Sequence, residues 1–320
     1  MKLSGKKIIF PFYHFVEEHN EENKLISNLY KAKNCSEFKK DLDFLTKNFE
    51  PISIDDFINK KNIKNKFSFL LSFDDGLSNF YKVVSPILEE ENIPAINFIN
   101  SEFVDNKDLF YRYKINILID VLKRKELTKN QQNIICEKLK IENFNFQNIL
   151  DSLKKIKYLD THLINELCEI LNIDMHQFLL ENKPYLSKKQ ILKLTKKGFY
   201  FGAHSKSHPH FLDIDYENQI LETLESVNYL RNEFKYKNVT FAFPFSDDNV
   251  SLRFFNFFKE QNLLTFGTAG IKDELEDINN IQRIPMEYKF SKYSAETIIK
   301  GELILYILKK IVGKNYIKRS

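Results

Sequence analysis

The sequence predicts an α/β fold: a closed or nearly closed barrel of parallel strands with a helical subdomain inserted into it. Three observations point there. Seven short segments rich in Ile, Val, Phe and Tyr are spaced along the chain, and most are followed by a polar turn and then a helical pattern. One stretch, from Asp105 to about Lys197, shows helical runs and no convincing strand. Alternation of strand and helix implies a parallel sheet. Seven strands in a chain of 320 residues fit a barrel more naturally than an open sheet.

In order, the strand segments are residues 7–13, 67–73, 95–99, 199–203, 239–243, 264–267 and 281–284. Between them, residues 80–92 place Val83, Val84, Ile87 and Leu88 at helical spacing. Residues 216–234 do the same with Ile220, Leu224, Val227 and Leu230. The intervening stretch carries helical runs over 113–127, 130–139 and 149–171. A barrel needs only one helix there, and a structureless loop of that length is uncommon in a compact domain. The chain therefore divides into a barrel, residues 1–104 and 186–320, and a helical insertion, residues 105–185. The insertion either packs over one side of the barrel or shapes a substrate cleft.

Composition excludes several classes. The 48 basic and 44 acidic residues give a formal charge of +4, spread evenly apart from a basic C-terminal end at 309–319. A nucleic-acid binder concentrates its positive charge, so no nucleic-acid partner is expected. Cys35, Cys136 and Cys168 are odd in number and widely spaced, which suits neither a disulfide framework nor a thiolate metal site. Residues 8–12 form a short apolar run broken by Pro11, unlike a secretory signal. The longest apolar stretch near the C-terminus, 303–308, is too short to span a bilayer. These features predict a soluble, cytoplasmic protein without a transmembrane segment, and leave peripheral membrane contact through the C-terminal helix open.

In a parallel barrel the working residues project from the C-terminal ends of the strands. Those positions hold His14, Asp74 and Asp75, Asn97 and Asn100, His204 and His208, Pro244 and Phe245, Thr268, and Arg283. In His204-Ser205-Lys206-Ser207-His208 the imidazoles stand at i and i+4, on one face of a helical turn. Two imidazoles and a carboxylate are a common ligand set for catalytic zinc. Two surface histidines on a turn would explain most such pairs met alone. Here the pair follows a strand. Ser72-Phe73-Asp74-Asp75-Gly76 ends another, and adjacent carboxylates at a strand end are unfavourable without a cation or hydrogen bonds. An ordinary turn or helix cap is the plainer account of Asp-Asp-Gly taken by itself.

The segment Leu70-Leu71-Ser72-Phe73-Asp74-Asp75-Gly76 resembles the first motif of the polysaccharide deacetylases, the NodB-homology group of carbohydrate esterase family 4. His204-Ser205-Lys206-Ser207-His208-Pro209 resembles their second motif, and Phe241-Ala242-Phe243-Pro244-Phe245 a variant of the third. The opening Phe12-Tyr13-His14 is similar to the start of many members. The resemblance covers residues 8–98 and 185–286 and leaves out the helical insertion. It implies a distorted (β/α)7-type barrel and metal-dependent removal of N-acetyl groups from a sugar or polysaccharide. Asp74 would then be the general base. Asp75, His204 and His208 would hold zinc or another divalent ion, and Phe245 would offer a backbone N–H to the oxyanion.

Two departures stand out. Many members carry an arginine two positions before the proline of the third motif, where this chain has Ala242. Many also carry a histidine near the last strand as general acid, and here no histidine follows His210. His14, at the end of the first strand, is the best substitute, against a plain packing role beside Tyr13. Arg283 could pair with Asp74 in place of the missing arginine, although ion pairing within the barrel is the plainer reading. His19, His162, His176 and His210 are read as structural, with His210 facing solvent. Asp247 and Asp248 either line the cleft or, more plainly, make a turn with a helix cap. The alternatives to a deacetylase acting on an acetylated carbohydrate are a deformylase or other small-amide hydrolase, and a non-catalytic glycan-binding protein that retains the metal site.

Overall fold

The apolar segments assemble side by side into one parallel ring. The computed structural model describes the whole chain except residues 2–3, 19–24, 27–28, 61–66, 275–277 and 290. Eight strand segments form the ring: β1 (Pro11–Tyr13), β2 (Leu71–Phe73), β3 (Ala95–Ile99), β4 (Tyr200–Ala203), β5 (Thr240–Ala242), β6 (Leu264–Gly267), β7 (Asn280–Gln282) and β8 (Ile284–Pro285). Their spatial order is β7-β6-β5-β4-β3-β2-β1-β8, with every pair parallel.

The last expected strand, 281–284, is present as two pieces parted by Arg283. The Arg283 N–H bonds the Gly267 carbonyl of β6, whereas the Ile284 N–H bonds the Phe10 carbonyl beside β1. The ladder thus changes partner across one residue, and this stretch of chain brings the ring nearly to closure. Below the ring, Ile8–Ile9 and Glu50–Pro51 pair on either side of Ser68–Phe69, a small sheet that continues the first two strands downward. The helical pattern after β2 begins with a π-helical turn, Phe80–Val84, and becomes α-helical at Ser85–Glu90. Pro86 supplies no N–H to the turn before it, which accounts for the wider opening.

Between β3 and β4 lie the helices Tyr111–Arg124, Lys129–Leu139, Phe146–Lys155, Thr161–Leu171, Met175–Asn182 and Lys188–Lys196. The helical run expected over 149–171 is split, with a short 3₁₀ turn at Tyr158–Asp160 between its two halves. Apolar faces of the first five helices gather a cluster that includes Ile117, Leu118, Ile135, Ile149, Leu153, Ile164 and Leu167. A second cluster fills the barrel wall and its surrounding helices, with Phe38, Phe73, Phe201, Phe241 and Phe254 fully buried. Among the described residues no helix is long and apolar enough to cross a membrane.

Asp247 neither caps a helix nor lines the cleft. It is buried and accepts from Arg319 Nη2 at 2.8 Å, Gln282 Nε2 at 2.6 Å and Asn280 Nδ2 at 2.8 Å. Its carboxylate fills the space where a side chain on Gly267 would begin, 2.3 Å from an added Cβ. Only glycine fits there, and the C-terminal segment is thereby tied to the upper end of β6 and β7.

Candidate active site

The two consecutive carboxylates take different partners because the chain turns sharply between them. The Asp74 N–H still bonds the Tyr13 carbonyl at 3.0 Å, so Asp74 extends the β1–β2 ladder. Asp75 then adopts a left-handed conformation (φ 72°) and Gly76 another (φ 64°), which reverses the chain. Asp74 receives both arms of the Arg283 guanidinium, Nη1 to Oδ1 at 2.6 Å and Nη2 to Oδ2 at 2.8 Å. Arg283 is fully buried, donates also to Ser72 Oγ and the Gly267 carbonyl, and lies 4.3 Å from the Phe12 ring centre. Burial pushes the Asp74 pKa up, but the charges of Arg283 and then His204 hold it below the usual carboxylate value.

Asp75 faces the two imidazoles. Its Oδ1 lies 3.1 Å from His208 Nε2 and 3.5 Å from His204 Nε2, and its Oδ2 accepts from the Tyr113 hydroxyl. His204 Nδ1 bonds the Ala242 carbonyl at 2.9 Å, which places the proton on Nδ1 and leaves Nε2 as a lone pair toward Asp75. The His204–His208 segment is not a helical turn, as its spacing suggests, but an irregular loop with Ser205 and His208 left-handed (φ 63° and 61°). Glu222 holds this loop by accepting from Ser207 N at 2.8 Å and Ser207 Oγ at 2.6 Å, and Asn100 donates to the His204 carbonyl.

These residues fit a divalent cation. One atom each from Asp75, His204 and His208 lie within 4.8 Å of one another, all three residues buried. Asp75 Oδ1 has no aligned hydrogen bond despite its closeness to the imidazoles. A carboxylate oxygen set against an imidazole lone pair in a buried site is unfavourable unless a positive charge stands between them.

His14 stands on the same rim. Its N–H and Nδ1 both contact Glu287 Oε2, at 2.8 and 2.7 Å, and its ring stacks on Tyr30 with centres 4.9 Å apart. Burial lowers the imidazole pKa, but the hydrogen bond and charge of Glu287, with Asp75 and Asp74 behind it, carry it up to about 9. Phe245 follows Pro244 in a left-handed conformation (φ 58°), its ring centre 4.9 Å from that of His208 and its carbonyl held by Thr268 Oγ1 at 2.7 Å.

One cavity of about 420 Å³ gathers His14, Asp74, Asp75, His204, His208 and Phe245. The helical stretch contributes Phe110, Arg112, Tyr113 and Lys154 to its wall, so it shapes the cleft as well as packing beside the barrel. Tyr113, Glu287 and Glu222 are absent from the residues the sequence points to. Tyr113 reads as one more apolar position of a helix. Glu287 follows the last strand directly, a placement that rim logic could have flagged. His210 is half-buried with its ring 5.6 Å from that of Phe245, instead of simply facing solvent. His19 lies outside the described residues.

The family model described as polysaccharide deacetylase matches residues 61–134 and 142–255, more than half of the chain. The chain belongs to the polysaccharide deacetylase family. The match runs through much of the helical stretch, which the motifs alone leave out. Solved structures of deacetylases share its fold. The Streptococcus pyogenes deacetylase PplD, in complex with acetate, is 16% identical with a TM-score of 0.58, covering 92% of this chain and 97% of that one. IcaB from Ammonifex degensii is 15% identical with a TM-score of 0.56, covering 93% and 98%. A de-N-acetylase from Aggregatibacter actinomycetemcomitans is 14% identical with a TM-score of 0.56, covering 92% and 99%. By sequence alone, no curated protein gives a significant match.

In this polysaccharide deacetylase fold, removing Arg283 leaves the Asp74 carboxylate buried and unpaired. Arg283→Met is therefore expected to destabilise the protein by about 3–5 kcal/mol, measured by chemical denaturation. A change under about 1 kcal/mol, the range of exposed ion pairs, would show that the pair is solvated.

Proposed function

We propose that this chain is a metal-dependent hydrolase that removes an N-acetyl group from a sugar or polysaccharide. The observation that carries the reading is the division of labour between neighbouring carboxylates. Asp75 is turned to two imidazoles, and Asp74 is gripped by both arms of Arg283 in the same cavity, with its Oδ2 3.9 Å from His204 Nε2. Asp75, His204 and His208 would hold the ion, zinc or a similar divalent transition metal. Such an ion, when bound, polarises the amide carbonyl and lowers the pKa of water.

The chain's own groups supply the rest. Asp74, ionised and oriented by Arg283, accepts the proton of the attacking water. As water adds to the acetamide carbon, the backbone N–H of Phe245 is the group assigned to stabilise the developing oxyanion. His14, protonated on Nε2 while Nδ1 faces Glu287, gives a proton to the amine as the carbon–nitrogen bond breaks. The exposed ring of Phe245, in the wall of the cavity, suits stacking on a sugar ring.

The non-catalytic alternative rests on Ala242 and on the missing histidine after the last strand. Arg283 and the His14–Glu287 pair are candidates for both of those places, which favours a working hydrolase.

Purified protein should carry about one divalent metal per chain, as a three-ligand site requires. His204→Ala and His208→Ala should lose it. Asp74→Asn should keep metal and fold while acetate release from acetylated chito-oligosaccharides or an acetylated glycan falls by about 10²–10⁴-fold. Metal retained in both histidine variants, or lost in Asp74→Asn, would overturn the assignment.

The pH profile tests His14. An acid must be protonated to act, so turnover should decline as pH rises through about 9, where His14 loses its proton. In Glu287→Gln the carboxylate that raises this pKa is gone, and the decline should begin at lower pH. In His14→Ala the alkaline limb should vanish from a much reduced rate. An unmoved limb in both variants would assign the acid elsewhere.

A further inference from the structure

The C-terminal helix, Ala295–Ile311, is apolar on two sides. It buries Ala295, Ile298, Ile299, Leu303 and Tyr306 and contacts the helix Cys35–Asn48. Its other side places Ile304, Leu308 and Ile311 at i, i+4 and i+7, exposed by 59, 57 and 76%, with Val312 beside them at 63%. Leu305 and Tyr316 are exposed as well. Large apolar side chains left bare and contiguous mark an interaction surface.

Charge says what covers it. Residues 303–320 contain five cations and no Asp or Glu. Arg319 turns inward to Asp247 and Glu274. Lys310, Lys314 and Lys318 stay exposed, with Lys309 half-buried. Lys300, near the start of the helix, is already paired with Glu296, so the attractive charge concentrates at the C-terminal end. Two copies of this face would set lysine against lysine, which disfavours a dimer. The helix has 17 residues and cannot span a bilayer. An apolar stripe with lysines at its border suits a helix lying in the plane of an anionic lipid surface.

We propose that this face docks the protein onto an anionic bilayer. Ile304, Leu308, Ile311 and Val312 enter the boundary between headgroups and acyl chains, while Lys309, Lys310, Lys314 and Lys318 meet lipid phosphates. The proposal stands apart from the hydrolytic reading, since none of these residues lines the catalytic cavity.

Sedimentation of the full chain with vesicles tests it. Binding should be strong on phosphatidylcholine mixed with phosphatidylglycerol, weak on phosphatidylcholine alone, and should fall as salt is raised. Combining Ile304→Ser, Leu308→Ser and Ile311→Ser should lower partitioning on the order of 100-fold. Lys310→Gln and Lys314→Gln should each lower it about fivefold. Melting temperature and helical content, expected to be unchanged, verify folding, and the lysine variants serve independently of the serine ones. Absence of wild-type binding to anionic vesicles would overturn the proposal. So would binding that survives the folded triple variant, or a wild-type dimer that this variant dissociates without any vesicle binding.

Discussion

The buried pair of Arg283 and Asp74 is the constraint around which the barrel is arranged. A guanidinium with no exposure to solvent is tolerable only where its donors are met, and here Asp74, Ser72 and the Gly267 carbonyl meet them. Those partners come from the second and sixth strands, and Arg283 occupies the break where the last strand leaves β6 for β1. The residue that closes the ring also orients the proposed base. Ring closure and site geometry are consequently coupled through one side chain.

Around that pair the site is assembled from long-range contacts. His14 meets Glu287 across 273 residues of sequence, and Asp75 meets Tyr113 across 38. His204 takes its tautomer from a carbonyl on the neighbouring strand, and Glu222 fixes the loop before His208. Asp74, Asp75, His204 and His14 thus each have a second group that sets a proton or an orientation, whereas the His208 Nδ1 has no such partner. The helical stretch between β3 and β4 is part of this arrangement, since Tyr113 brings it into direct contact with Asp75.

How much of this was legible in the sequence follows from how local each feature is. Strand segments announce themselves as short runs of aromatic and β-branched residues bounded by polar turns, and they lie where expected apart from interruptions at Phe10 and Leu70 and the break at Arg283. That break reflects a change of ladder partner, which no local pattern encodes. Asp74, Asp75, His204 and His208 stood out because such residue types at strand ends are hard to explain as packing. The i and i+4 spacing of the histidines fits a helical turn, whereas the structure holds them on a loop. The left-handed residues Ser205 and His208 and the clasp of Glu222 shape that loop. Tyr113 acts through a partner remote in the chain, and its neighbours in sequence give no hint of that role, whereas Glu287 sits just past the last strand, where its place on the rim is legible.

Four non-glycine residues of the site, Asp75, Ser205, His208 and Phe245, share the left-handed backbone conformation. Each such residue costs on the order of 1 kcal/mol and persists only where its surroundings enforce it. The cleft is therefore a place of local backbone tension, opposed by the packed Phe-rich wall behind it. Glycine at these positions would relax the backbone and loosen the side-chain constellation together, and β-branched residues would be rejected outright. Rigidity of the scaffold and sharpness of the site are two aspects of one mechanical balance, so a variant selected only for tolerance to heat would tend to drift away from this geometry.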